Sequence, residues 1–224
     1  MKIALLGNGK TGGRVSELVT EHTVQVFDSQ NVPTLDGLKG CDVAICFLPG
    51  PILETYIGLL IQSALPAVIG STGSRWQDGL DAKLVEAGLT WMYAPNFSRS
   101  MGKLKDMIEI MASIQDKNAR PLLEETLHID KVDSPSGTAL AWEEWLGQEI
   151  KFIDYRSADT YGVHKLTVET ENETISIEHI IKDRTAYAQG ALDAAEKLYS
   201  YSFIPGLINL LDQPAPSLWF TKPS

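Results

Sequence analysis

The run Ile3-Ala-Leu-Leu-Gly7-Asn8-Gly9-Lys10-Thr11-Gly12 decides the fold of the first half of the chain. Ile3 to Leu6 are continuously apolar and break into a glycine-rich turn, behind which Val15, Leu18 and Val19 recur at helical spacing. A second apolar run, Val24-Gln-Val-Phe27, ends at Asp28, roughly 20 positions beyond Gly7. Strand, glycine turn, helix, strand and acid, in that order, suit a dinucleotide. Gly7 permits the tight turn, Gly9 lets a pyrophosphate approach the backbone, and Gly12 permits close packing of helix on strand. Asn8, Lys10 and Thr11 complete the loop, and Asp28 would accept hydrogen bonds from the adenosine ribose hydroxyls. The competing reading is a glycine-rich turn in a doubly wound sheet without a cofactor.

The alternation continues outward from this unit. Val43-Ala-Ile-Cys-Phe47 reads as a buried strand, followed by Pro49-Gly50-Pro51 and an apolar helix to about Ala64. Ala67-Val-Ile69 runs into Gly70-Ser-Thr72-Gly73, a helix is expected from about Arg75 to Glu86, and Leu89–Tyr93 forms the next strand. Strands alternating with helices predict an α/β class: a Rossmann-like, doubly wound parallel sheet covered on both faces. Ligands of such sheets lie beyond the carboxyl ends of the strands. Here those ends carry the Gly7–Gly12, Phe47–Pro51, Gly70–Gly73 and Ala94–Ser98 loops, where Thr72 and Asn96 offer hydroxyl and amide groups.

From about Ser98 the pattern changes. A helix over roughly 100–115 precedes a strand over Pro121–His128, and a further helix from Ser136 carries Leu140, Trp142, Trp145 and Leu146. Short strands follow at Lys151–Ser157, His164–Thr170 and Thr174–Lys182, and Gly190 opens a last helix. The pattern predicts a smaller α+β domain with an open sheet over residues 99–199. Residues 1–98, with a return at about 200–224, form the dinucleotide-binding domain.

Between the strand and the helix stands His128-Ile-Asp-Lys131-Val-Asp-Ser-Pro-Ser136-Gly137-Thr138-Ala. Ser134 reads as an N-cap, Pro135 as the first helical position, and Ser136-Gly137-Thr138 as the first turn. The free amides of that turn and the dipole behind them favour an anion. Lys131 and His128 can add charge, or supply a proton to a reacting carbon. The segment reads either as a carboxylate or phosphate pocket with an acid in it, or as an ordinary capped helix after a loop.

This segment resembles the signature of the dihydrodipicolinate reductase family, Glu-x-His-His-x-x-Lys-x-Asp-x-Pro-Ser-Gly-Thr-Ala. The chain has Glu125, His128, Lys131, Asp133 and Pro135-Ser-Gly-Thr-Ala139 in register, but Leu127 where the family has the first histidine. Gly70-Ser-Thr-Gly73 and Ala94-Pro-Asn-Phe-Ser98 are similar to the family's Gly-Thr-Thr-Gly and Ala-x-Asn-Phe-Ser. Arg156-x-x-Asp159-x-x-Gly162-x-His164, Ile177-Glu-His179, Arg184 and Tyr187-Ala-x-Gly190-Ala match its later motifs in order.

The resemblance implies an NAD(P)H-dependent reductase of 4-hydroxy-tetrahydrodipicolinate in lysine and diaminopimelate biosynthesis. Lys131 and His128 would be the catalytic pair, and these two with Ser136, Gly137 and Thr138 would hold the dicarboxylate substrate. The cofactor would lie against Gly7, Asn8, Gly9, Lys10, Thr11, Gly12, Asp28, Phe47, Gly70, Thr72, Ala94, Asn96 and Phe97. Asp28 lacks a following arginine or lysine to neutralise a 2′-phosphate, which favours NADH over NADPH. The alternative is a repurposed dinucleotide-binding member, a sensor or a reductase of another dicarboxylate, because Leu127 cannot donate a proton. The family also implies a homo-oligomer, a tetramer built through the second-domain sheet or, alternatively, a dimer.

Composition bounds the rest. A formal charge of −10 over 224 residues argues against nucleic acid or an anionic membrane as a partner. The apolar stretch at Met1–Leu6 is too short for a signal peptide or a membrane span, so a cytoplasmic address is expected. Cys41 and Cys46 read as reduced structural thiols. The 4 histidines are scattered without ligand spacing, so no metal is expected.

Overall fold

The structure is a computed structural model that describes residues 1–71, 76, 78–114, 118–131, 133–212 and 220–221. The chain divides into two compact units, Met1–Ser98 with Tyr187–Ser224, and Arg99–Ala186.

In the first unit the elements run β1 (Lys2–Leu6), α1 (Gly12–Leu18), β2 (Thr23–Phe27), α2 (Leu35–Leu38), β3 (Val43–Cys46), α3 (Gly50–Gln62), β4 (Ala67–Ile69), α4 (Leu80–Glu86) and β5 (Thr90–Tyr93). A further strand near the C-terminus, Gly206–Asn209, lies beside β5, and every pairing in this six-stranded sheet is parallel. The order places β2 on one side of β1 and β3, β4 and β5 on the other. The direction of winding therefore reverses between β1 and β3, the position at which such sheets bind ligands.

Both faces are covered, which explains the continuous apolar runs. Ala4, Leu6, Ala44, Cys46, Ile69 and Trp91 pack with Leu53, Ile57 and Leu60 of α3 and with Leu80 and Leu84 of α4. Ile3, Leu5, Val43, Ile45, Val68 and Met92 pack on the other side with Val15 and with Ala188, Ala191, Leu192 and Ala195. Cys41 and Cys46 are free, and burial pushes the Cys46 thiol up to about 12.

The second unit contains α5 (Met101–Met111), β6 (Arg120–His128), α6 (Gly137–Leu146), β7 (Lys151–Ser157), β8 (Val163–Glu169) and β9 (Thr174–Ile180). Its four strands are ordered β7-β6-β8-β9, with β6 parallel to β7 and antiparallel to β8. Burial alternates along the strands. Leu123, Glu125 and Leu127 of β6 and His164, Leu166 and Val168 of β8 are buried, while the residues between them are partly exposed. The buried Trp142 of α6 brings its ring to 5.8 Å from that of His164, so α6 covers this face.

Helix α7 (Thr185–Ser200) then carries the chain back, followed by β10 (Tyr201–Ser202), β11 (Gly206–Asn209) and β12 (Phe220–Thr221). Several boundaries differ from the sequence reading. Helix α4 starts at Leu80 rather than near Arg75, behind Gly79 in the left-handed region at φ 76°. Helix α7 starts at Thr185 rather than Gly190, because the Asp183 carboxylate accepts the Thr185 amide at 2.8 Å and supplies an N-terminal cap. The return to the first unit comes at Tyr187 rather than about residue 200, since the apolar face of α7 packs against the parallel sheet.

Candidate active site

The candidate dinucleotide site of the first unit is built by loops at the carboxyl ends of the parallel strands. Gly7 adopts φ 98°, and a Cβ there would come within 2.8 Å of the Phe47 carbonyl group. The close approach joins the loop after β1 to the loop after β3. A Cβ on Gly12 would stand 1.8 Å from the Gly7 oxygen, so only glycine lets α1 start directly against β1. Gly9 differs: nothing lies within 4 Å of its missing Cβ, and Asn8, Gly9 and Lys10 are exposed. Thr11 sits at the N-cap of α1 without a side-chain capping bond, and loop carbonyls close the first turn instead: the Gly13 amide donates to the Gly9 oxygen at 2.8 Å and the Arg14 amide to the Thr11 oxygen at 3.0 Å. The loop is thus closed on its protein side and open on the side a pyrophosphate would take.

Asp28 follows β2 directly. Its Oδ1 accepts the amides of Gln30 at 2.9 Å and Asn31 at 3.0 Å, which fixes the carboxylate at the strand end. Phe47 caps β3, with its ring against Gly70, where a Cβ would meet it at 2.2 Å. Phe97 meets Phe47 edge-on, with centroids 6.4 Å apart. Ala94, Asn96 and Phe97 are all buried. The Asn96 Oδ1 accepts the Ser98 amide at 2.9 Å, so part of its polar capacity shapes its own loop. Thr72 lies outside the described residues. Of the other twelve cofactor candidates, Gly12 opens α1 and the rest fall in the loops at the ends of β1, β2, β3, β4 and β5.

The second unit carries the signature segment. His128 ends β6, and its Nδ1 accepts the Asp130 amide at 3.1 Å, which leaves the ring proton on Nε2. The Lys131 ammonium lies 2.9 Å from Asp133 Oδ2. An ammonium has three donors, so this pairing leaves two for a ligand. The Arg156 Nη2 donates to the Asp133 carbonyl at 3.2 Å and to the Asp154 carboxylate at 2.7 Å, tying the loop to β7.

The helix start is corrected by two residues. Ser136, not Ser134, is the N-cap, with φ −69°, ψ 159° and its hydroxyl accepting the Ala139 amide. Pro135 precedes the helix and follows a cis peptide bond. Gly137 and Thr138 therefore occupy the first two helical positions, whose amides have no acceptor within the helix.

Two participants stand in the quoted motifs but were not among the expected site residues. Glu125 accepts the Ser136 amide at 3.0 Å, and His164 Nε2 lies 3.1 Å from Ser136 Oγ. Both are buried sheet residues, and only the pairing of β6 with β8 brings them under the signature helix. Burial raises the Glu125 carboxyl, but interactions with His164 and Ser136 outweigh it and hold the group below the usual carboxylate range.

Comparisons with known proteins show what the chain is similar to. Residues 103–212 match the family model for the C-terminal part of dihydrodipicolinate reductase. A 4-hydroxy-tetrahydrodipicolinate reductase of Bdellovibrio bacteriovorus is 27% identical over 222 residues, 95% of each chain. That of Haloarcula marismortui is 28% identical, over 87% of this chain and 92% of its own. Among solved structures, a dipicolinate-bound dihydrodipicolinate reductase from Paenisporosarcina superposes with a TM-score of 0.69 at 17% identity, covering 93% of this chain and 97% of that one. An aspartate dehydrogenase from Thermotoga maritima shares the fold at a TM-score of 0.57 and 11% identity. With its signature segment capping a helix over the second sheet and its similarity to these reductases running almost end to end, the chain resembles the dihydrodipicolinate reductase family.

Proposed function

We propose that the chain reduces 4-hydroxy-tetrahydrodipicolinate to tetrahydrodipicolinate with a nicotinamide cofactor, in lysine and diaminopimelate biosynthesis, the ring gaining a hydride and a proton and losing its 4-hydroxyl as water. The observation that carries this reading is the Lys131–Thr138 segment. It sets an ammonium with spare donors ahead of the first turn of α6, in a chain similar to reductases of that name.

The residues present fit a dinucleotide. Gly9 offers an open approach to backbone amides, Gly7 and Gly12 hold the loop tight, and Asp28 Oδ2 is available for a ribose diol. Phe47, Gly70, Ala94, Asn96 and Phe97 would enclose the nicotinamide end. When bound, the reduced nicotinamide supplies the hydride. Lys131, the Nε2–H of His128 and the Gly137–Thr138 amides would grip the carboxylates and so orient the ring. The Lys131 ammonium can bind a carboxylate and donate a proton from the same group. Because Leu127 is apolar, Lys131 or a water molecule it orders completes the protonation.

NADH is favoured over NADPH because no cation follows Asp28 in sequence and a 2′-phosphate would meet the carboxylate. Self-association through the second-unit sheet, as a tetramer or alternatively a dimer, is supported by the edge positions of β7 and β9 and by the exposed Tyr155 and Ile180. Incubating the protein with NADH and freshly generated 4-hydroxy-tetrahydrodipicolinate tests the activity. Cofactor oxidation that depends on the substrate is expected. Its absence, with NADH binding intact, would favour a repurposed binder, for which Leu127 is the observation in hand.

A further inference from the structure

A buried polar cluster in the second unit has no direct part in holding substrate or cofactor. Glu125, Ser136 and His164 are 1%, 2% and 2% exposed. Glu125 and His164 face each other across the β6–β8 pairing. Ser136 donates its amide to Glu125 Oε1, and His164 Nε2 stands 3.1 Å from Ser136 Oγ and 3.4 Å from Glu125 Oε2. The ring's other nitrogen, Nδ1, is buried with no hydrogen-bond partner among the described residues. A buried N–H left unpaired is rarer in folded proteins than an unpaired acceptor, which puts the ring proton on Nε2, directed at Ser136 Oγ, with Glu125 Oε2 3.4 Å away.

A carboxylate is costly to bury, and a helix needs no such group to be capped. Ser136 already closes the first turn by accepting the Ala139 amide. What Glu125 adds is a fixed orientation of the Ser136 peptide, the unit directly ahead of the Gly137 and Thr138 amides. Trp142, one turn further along α6, closes over the His164 ring and excludes water from the cluster.

We propose that Glu125 and His164 are positioning residues: together they lock Ser136 in its capping conformation and thereby set the affinity of the Gly137–Thr138 turn for a substrate carboxylate. The inference rests on the proposed function, since it assigns the turn to a dicarboxylate. Neither residue touches the substrate, so their loss weakens its binding while leaving the cofactor site unchanged.

The test is calorimetric binding of pyridine-2,6-dicarboxylate to the NADH-loaded protein, beside the NADH affinity and the thermal melt of each variant. His164→Leu removes the Nε2 donor and is expected to weaken dicarboxylate binding about tenfold with NADH affinity unchanged. His164→Gln can present an amide N–H near the same point and is expected to recover most of the loss. A folded His164→Leu protein with wild-type dicarboxylate affinity would overturn the proposal. Should that variant not fold, Glu125→Gln takes its place, since it sets an amide donor against Nε2–H at unchanged volume. Weaker binding with faster exchange of the Gly137 and Thr138 amides is then expected, and no change in either overturns the proposal. Wild-type protein that binds NADH but not the dicarboxylate overturns the proposed function instead. Amide exchange in the two variants then decides the positioning role without it.

Discussion

Leu127 and His128, neighbours in sequence, stand on opposite faces of β6. Leu127 is 4% exposed and shares the helix-covered face with Glu125, whereas His128 is partly exposed at the strand end. The position where the family motif has its first histidine is thus the one facing the signature helix. The histidine this chain retains stands at the end of the strand instead.

Leu127→His places an imidazole on the face of Glu125 and directly across the β6–β7 pairing from Arg156. Turnover of the dicarboxylate should be unchanged or higher than in the wild type. Measuring kcat for both proteins checks this. A folded variant slower than wild type would mean that the site requires an apolar group there and serves a less polar substrate.

Lys131→Ala should lower kcat/KM by about 10- to 150-fold, the equivalent of ~1.5–3 kcal/mol for a lost charge-assisted contact. The NADH dissociation constant should be unaffected, because the lysine and the dinucleotide loops belong to different units. Steady-state kinetics and NADH titration read the two effects separately. Near-normal kinetics would place the carboxylate clamp elsewhere.

Dissociation constants for the two cofactors should favour NADH or be equal. Asp28→Ala should weaken NADH and narrow the difference, since it removes both the ribose acceptor and the charge facing a 2′-phosphate. A clear preference for NADPH in the wild type would contradict the role given to Asp28.

Gly190→Ala should destabilise the protein by ~1–3 kcal/mol, an overpacking cost. Its Cβ would stand 1.7 Å from the Phe97 carbonyl oxygen, so α7 must move off the Asn96–Ser98 loop. A lower melting temperature together with weaker NADH binding is expected, and a neutral substitution would show that the close approach is not required.

Acid should weaken the fold in two stages. Burial and the neighbouring His164 hold His179 below its usual value of 6.5, so the unfolded chain takes up that proton first. Its contribution is complete above about 6.5 and lost as pH falls from there through the lowered value. Glu125, also lowered, contributes fully above about 4.5 and loses its share as pH falls further. Melting temperatures across this range check the order, and His179→Gln should flatten the upper stage.

The parallel sheet was legible in the sequence because strands buried on both faces are apolar throughout, as Ile3–Leu6 and Val43–Cys46 show. The dinucleotide loop was legible because Gly7 and Gly12 have local steric reasons to be glycine. The cap of α6 was not. Ser134 and Ser136 are chemically equal candidates, and Glu125 and His164, brought up by strand pairing, make the choice. Gly190 misled for a related reason. It reads as a helix start, but the fold needs it within α7 for the approach to Phe97. Strand β11 escaped notice because its place beside β5 depends on contacts such as the Asp81 carboxylate accepting the Leu207 amide.

The central claim is a direct reduction of the cyclic dicarboxylate. Turnover of freshly generated 4-hydroxy-tetrahydrodipicolinate with NADH deuterated at the transferring C4 position tests it most directly, with the product analysed by mass spectrometry and NMR. The account predicts one deuterium on a ring carbon of tetrahydrodipicolinate for each NADH oxidised. Oxidised cofactor without labelled product, or no oxidation by protein that binds NADH, would contradict it.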